Sequence, residues 1–138
     1  MKNLLTLILM FAIVGTACKK EDQNEQAEID DAIIKEYLAN NNISATEHES
    51  GLYYVITKEG TGGHPNLTHT VVVDYKGYLV DGTVFDESTN AVELSLAKLI
   101  TGFQIGVNLL KPGGSGTFYI PSTLGYGDVQ YGDIPPNS

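Results

Sequence analysis

The chain has no arginine and no tryptophan, and its single cysteine stands at position 18. Eight lysines face 17 acidic residues, for a formal net charge of −9. The clustered Lys and Arg that phosphate binding needs are therefore absent, which argues against nucleic acid as a partner. One cysteine excludes a disulfide framework and every multi-cysteine metal site. No apolar run is long enough to span a bilayer as a mature helix. His48, His64 and His69 lie in polar stretches without a His or Glu at helical metal-ligand spacing, so no metal site is expected. There is no Gly-x-Ser-x-Gly elbow, and Gly113-Gly114-Ser115-Gly116 lacks the Lys and following helix of a phosphate loop. Asp86 and Glu87 are adjacent, so their side chains point apart in a strand and do not make a glycosidase pair.

What the chain does have is 138 residues, 42% of them hydrophobic, enough for one domain with a modest core. Fifteen glycines and eight tyrosines suggest a turn-rich β fold. At the N-terminus Lys2 precedes Leu4–Val14, apolar except for Thr6, and then Gly15-Thr16-Ala17-Cys18. That order reads as a secretory signal peptide over 1–17, too short to be a membrane span. Small-small-Cys at its end resembles a bacterial lipoprotein signal, in which the cysteine is lipidated and becomes the mature N-terminus. Gly15 departs from the usual Leu of that pattern, and a free thiol at Cys18 is the alternative. Residues 18–27 have nothing large and apolar to bury and read as the lipidated Cys and a flexible tether. Lys20-Glu21-Asp22 within it resembles the export signal of bacterial surface lipoproteins.

From Glu28 the period becomes helical. Ile29, Ile33 and Tyr37, widened by Ile34 and Leu38, predict a helix over about 28–39 within an N-terminal segment 28–42. Glu28, Asp30 and Asp31 suit its positive N-terminal end. The period then changes to two. Leu52–Ile56 predicts a strand. Thr70–Val80 predicts a longer one, with Val71, Val73 and Tyr75 on one face and Gly77 marking a bulge or bend. Asp81-Gly82 is a hairpin signal leading back through Thr83–Phe85. Val92–Leu96 and Thr117–Ile120 are further strands, and Ile100–Leu110 regains helical spacing until Pro112-Gly113-Gly114 stops it. The pattern describes an α+β domain with an antiparallel sheet.

The chemistry enters through a resemblance. Val73-Asp74-Tyr75-Lys76-Gly77-Tyr78-Leu79, followed by Asp81-Gly82-Thr83-Val84-Phe85-Asp86-Glu87-Ser88, resembles the V-x-Y-x-G-x-L…DG-x-x-FD-S signature of FKBP-type peptidyl-prolyl isomerases. Leu99–Phe103 with Gly106 is similar to the family's V-I-x-G-W/F-x-x-G element. Lys111–Gly114, Ile120-Pro121, Tyr126-Gly127 and Ile134-Pro135-Pro136-Asn137 follow in the family order over 51–138.

The resemblance implies a twisted antiparallel β-sheet wrapped around one short helix, with the N-terminal helix as an addition. It implies that Tyr75, Phe85 and Phe103 wall a proline pocket with Leu99 and Ile134 beside them. The Ile100 amide and the Tyr126 hydroxyl would hydrogen-bond substrate carbonyls, and Asp86 would lie at the polar edge. Gly127–Asp133 carries no assignment. Proline-containing polypeptides would be the substrates, macrolide-type compounds the inhibitors, and a lipid anchor the link to a membrane; no cofactor is implied. Phe103 stands where many relatives have Trp. The chain also ends after Ser138, where the family continues into a final sheet strand, so the domain over 51–138 is expected to be C-terminally incomplete. Competing readings are a non-catalytic binding or chaperone module of the same fold, and a tyrosine-rich lipoprotein that binds glycans.

Overall fold

The computed structural model describes residues 17–138, with side chains from Asp22 onward. The signal segment before Ala17 lies outside the described residues. Two α-helices, α1 (Ala17–Asn40) and α2 (Thr101–Leu109), accompany seven short strands. The strands are β1 (Thr46–Glu47), β2 (Tyr53–Lys58), β3 (Thr70–Val73), β4 (Lys76–Tyr78), β5 (Val84–Glu87), β6 (Val92–Ser95) and β7 (Ser115–Tyr119). The α+β class follows expectation, and every strand pairing is antiparallel. The strands, however, form three separate sheets: β1–β2–β7, β3–β6 and β4–β5.

The single long strand expected over Thr70–Val80 breaks at Asp74 and Tyr75, earlier than Gly77. A side chain causes the break. Ser88 Oγ accepts from the Tyr75 amide at 2.8 Å, and the Ser88 amide donates to the Tyr75 carbonyl at 2.9 Å. The Tyr75 peptide is thus satisfied outside a ladder. The face alternation survives the break: Val71, Val73 and Tyr75 are half-buried, whereas Val72, Asp74 and Lys76 are exposed. The turn at Asp81-Gly82 forms as read, closed by Gly82 N–H to the Leu79 carbonyl at 2.9 Å and by Thr83 N–H to Asp81 Oδ1 at 2.8 Å.

α1 corrects two expectations. Residues 18–27, read as a flexible tether, continue the helix toward its N-terminus. The segment KKEDQNEQA contains no Gly or Pro and is rich in Lys, Glu and Gln. Extending an existing helix through such residues adds one bond per residue without a new nucleus. The buried stripe is also rotated by one residue. Ile29 and Ile33 are 47% and 41% exposed, whereas Ile34 and Leu38 are buried in register with Asp30. Hydrophobicity alone placed Ile29 inward; the hydrogen bonds of Asp30 outweigh it.

Ile34 and Leu38 pack on Tyr53 of β2, with Ile43, Ala45 and Tyr119 around them. Tyr53 donates its hydroxyl to Asp31 Oδ1 at 2.6 Å, and Lys35 pairs with Asp31 Oδ2 at 2.7 Å. α2 lies close to β7 because two of its residues lack side chains. Gly106 faces the Phe118 ring, where a Cβ would come within 2.6 Å, and Gly102 faces Ile120 in the same way. This close approach fixes the height of α2, and with it Phe103, above the strands.

Candidate functional site

The site begins with an irregularity in the β4–β5 ladder. Lys76 pairs with Glu87 and Gly77 with Asp86, but Tyr78 pairs with Val84. Phe85 is therefore the extra residue of a β-bulge, the device by which a strand re-aims one side chain. Its ring lies over Gly77, where a Cβ would sit 2.5 Å from Phe85 Cζ. Gly77 does mark a bulge, but the bulged residue is across the ladder.

Phe85 and Asp86 open onto a cavity of about 190 Å³, shared with Tyr126, Tyr131, Gly132, Asp133 and Ile134. Four residues singled out by the sequence thus meet around one cavity: Phe85, Asp86, Tyr126 and Ile134. Tyr75 joins them indirectly, donating its hydroxyl to Asp86 Oδ2 at 2.6 Å. Phe103 meets Tyr75 edge to face, with ring centroids 6.0 Å apart and planes at 86°. Such aromatic pairs favour this geometry.

Leu99 and Ile100 are half-buried at the start of α2 and do not line this cavity. Ile100 is the residue that caps α2, and its carbonyl accepts from Gln104 N–H at 3.1 Å. Gln104 Nε2 also donates to the Leu99 carbonyl at 2.8 Å, which ties down this entry to the helix. Cys18 falls in the first turn of α1.

No motif or period in the sequence singles out Tyr131. Its ring stacks on Tyr126, with centroids 4.3 Å apart and planes within 10°. A two-residue turn makes this possible. Tyr131 and Ile134 exchange both backbone hydrogen bonds, at 3.0 and 2.9 Å, across Gly132-Asp133, with Gly132 at φ +55°. The turn buries Ile134 and leaves Tyr131 60% exposed. A Gly-Asp pair between an aromatic and an aliphatic residue is the signal that could have revealed it.

The Tyr75 and Tyr126 phenols titrate above their ordinary value of 10.0. For Tyr75 the main cause is the hydrogen bond to Asp86, followed by burial; for Tyr126 it is burial, followed by the proximity of Tyr131 and Asp86. At neutral pH both remain hydroxyl donors. A wider, open groove of about 650 Å³ adjoins Tyr75, lined by Asp74, Lys76, Glu87 and Ser88 among others. With Lys76 and Glu87 paired at 3.3 Å across it, that groove offers polar groups and no apolar seat.

A sequence profile described as FKBP-type peptidyl-prolyl cis-trans isomerase matches residues 62–138, more than half of the chain. The chain is 44% identical over 123 residues to the probable FKBP-type peptidyl-prolyl cis-trans isomerase FkpA of Neisseria meningitidis, covering 86% of this chain and 44% of that protein. It is 37% identical over 92 residues to the outer membrane protein MIP of Legionella longbeachae, covering 64% of this chain and 40% of that one. It spans less than half the length of either. Among solved structures, FkpA from Escherichia coli superposes with a TM-score of 0.71 at 33% identity, over 86% of this chain and 58% of that chain. A peptidyl-prolyl cis-trans isomerase from Pseudomonas syringae gives 0.68 at 28% identity, over 80% and 86%.

Proposed function

The chain belongs to the FKBP-type peptidyl-prolyl cis-trans isomerase family, and we propose that its cleft accelerates rotation about X-Pro bonds in polypeptides. The observation that carries this reading is the convergence of Phe85, Asp86, Tyr126 and Ile134 on one small cavity. Rotation about an X-Pro bond faces a barrier of about 20 kcal/mol, yet no covalent bond is made or broken. A planar amide is polar through resonance, and the twisted amide has lost that resonance. An apolar wall penalises the planar ground state more than the twisted transition state, which is differential binding in the required direction. Phe85, Tyr75 and Phe103 are the aromatic walls for the proline ring, with Leu99 and Ile134 as aliphatic neighbours. The Tyr126 hydroxyl and the Ile100 amide hold substrate carbonyls while the bond turns. Asp86, fixed by Tyr75, shapes the polar edge. Macrolide-type inhibitors would enter the same cleft as competitors of the peptide.

A protease-coupled assay on a proline peptide tests this directly. Acceleration that is strongly reduced by Phe85→Ala supports it. Peptide binding with no acceleration would instead make the domain a binding or chaperone module.

We further propose that the protein is exported and held at a membrane through a lipid on Cys18, at the start of the helix that precedes the domain at 51–138. Leu4–Val14 followed by Gly-Thr-Ala-Cys supports this reading, as does the likeness to a relative named as an outer membrane protein. Several acyl chains anchor stably where one does so only marginally. Cys18→Ser should release the protein to the soluble fraction or leave an uncleaved precursor. Unchanged membrane partition and mobility in the variant would rule out lipidation there.

A further inference from the structure

Asp30 is the one carboxylate among the described residues that is buried, at 5% exposure, and the isomerase chemistry does not use it. Three donors point at it. Gln26 Nε2, one helical turn before it, reaches Oδ1 at 2.7 Å. Ser122 supplies the other two, its amide at 2.7 Å and its hydroxyl at 2.6 Å, both to Oδ2. Ser122 is itself 2% exposed and lies 92 residues away in the chain. A carboxylate is withdrawn from water only where such donors replace the lost hydration.

Ser122 opens a short 3-10 turn, Ser122–Leu124, that leads into the cleft loop. Its carbonyl accepts from two amides further along, Gly125 N–H and Gly127 N–H, each at 2.9 Å. Tyr126 lies between these two bonds. Gly127 is held from its other side, where its carbonyl accepts from Asn137 N–H at 2.7 Å. The amides of the two residues on either side of Tyr126 are therefore fastened to Ser122, and Ser122 is fastened to α1 through Asp30.

From this chain of contacts we infer that Asp30 is a positioning residue for Tyr126: α1 pins the Ser122 turn, and the pinned turn sets where the Tyr126 hydroxyl meets the substrate. The inference rests on the reading of Tyr126 as a substrate-binding hydroxyl, and it gives α1 a part in the chemistry besides packing. Asp30→Asn loses the charge and keeps both sides only in one arrangement, with the amide oxygen on Ser122 and the NH2 group on a Gln26 amide turned to present its oxygen.

The test compares Asp30→Ala in two backgrounds. In the otherwise unaltered chain kcat/KM should fall about fivefold, the loss expected for one misplaced hydrogen bond. In a Tyr126→Phe chain, where the hydroxyl is already gone, the further loss should be less than about twofold. Equal losses in both backgrounds would mean that Asp30 only stabilises the fold, and would overturn the inference. Asp31→Asn is the control. It loosens the same helix at Tyr53 and Lys35, and should lower Tm without lowering kcat/KM in the folded protein. Amide hydrogen exchange gives a readout independent of activity: Asp30→Ala should speed exchange at Gly125 and Gly127 about tenfold or more, with α2 unchanged. Unaltered exchange at those two amides would sink the pin even if activity fell. Should the chain prove to have no isomerase activity, fast exchange would leave the pin standing while the functional reading failed. If the alanine variant does not fold, Asp30→Asn carries the same comparisons with smaller changes in the same direction.

Discussion

Tyr75 and Asp86 are joined by a 2.6 Å hydrogen bond from phenol to carboxylate, which links the break between β3 and β4 to the rim of the cleft. The carboxylate orients a wall residue, and nothing in the geometry asks it to transfer a proton. Tyr75→Phe should cost about 1 kcal/mol, or roughly fivefold in kcat/KM. Asp86→Asn should cost no more, since its amide oxygen still accepts from Tyr75. The double variant should lose less than the sum, because Asp86→Asn weakens the same bond that Tyr75→Phe removes. The Tyr75 and Tyr126 phenols titrate above 10.0, so kcat/KM measured between about pH 6 and 8 should be flat, without the bell shape of general acid-base catalysis. A steep pH dependence that disappears in Asp86→Asn would require the desolvation mechanism to be abandoned.

Phe85 depends on Gly77 for its place. Phe85→Ala removes the bulged wall and admits water, with an expected loss of about 2–3 kcal/mol in transition-state binding, by analogy with buried large-to-small changes. Gly77→Ala keeps every cleft side chain but drives a methyl group into the Phe85 ring. It should lower kcat/KM nearly as much as Phe85→Ala, and adding it to Phe85→Ala should change little. Measured rates for the three variants decide this; additive losses would show that Gly77 acts elsewhere.

Much of this arrangement was legible because it is local. Strand alternation through Val71, Val73 and Tyr75, the Asp81-Gly82 turn, and helical spacing from Phe103 to Val107 each depend on a few adjacent residues. The family signature then brought Phe85, Asp86, Tyr126 and Ile134 to one cavity, which no local pattern could do. What stayed hidden depends on partners distant in sequence. The phase of α1 is set by Ser122, 92 residues from Asp30, so the buried face falls on Ile34 and Leu38, one residue on from the Ile29 and Ile33 that lead the apolar stripe. The break between β3 and β4 depends on Ser88 reaching the Tyr75 amide. Tyr131 was overlooked because an exposed tyrosine in a glycine-rich loop carries no periodic signal.

The docking of α1 should be sensitive to alkali. Tyr53 is pushed up to about 12 by burial and by its hydrogen bond to Asp31, from an ordinary value of 10.0. A group whose pKa is higher in the folded state stabilises fully below its unfolded value and loses that contribution as pH rises through the folded value. Stability should therefore decline between about pH 10 and 12, and Lys35, also raised to about 12 by its bond to Asp31, works in the same direction. Denaturant melts at intervals across this window should show a shallower decline for Tyr53→Phe. An equal slope would mean that Tyr53 does not titrate with unfolding.

The stack of Tyr131 on Tyr126 separates two contributions that a single substitution would confuse. Tyr126→Phe keeps the ring, the stack and the cavity wall, and removes one hydroxyl. Its cost should be about 1 kcal/mol, severalfold in kcat/KM. Tyr131→Phe keeps the stack and should be close to unaltered, because the Tyr131 hydroxyl has no role in the cleft. Tyr131→Ala removes the outer face and leaves Tyr126 free to change its tilt. A stacked aromatic pair contributes about 0.5–1.5 kcal/mol beyond burial, so the loss should match that of Tyr126→Phe in size. It should fall chiefly on KM, since the wall that gathers the peptide is opened while the hydroxyl survives. Steady-state kinetics on the three variants decide the matter. A Tyr131→Ala protein with an unchanged KM would show that the stack is an ornament of the loop and that Tyr126 is oriented from the Ser122 side alone.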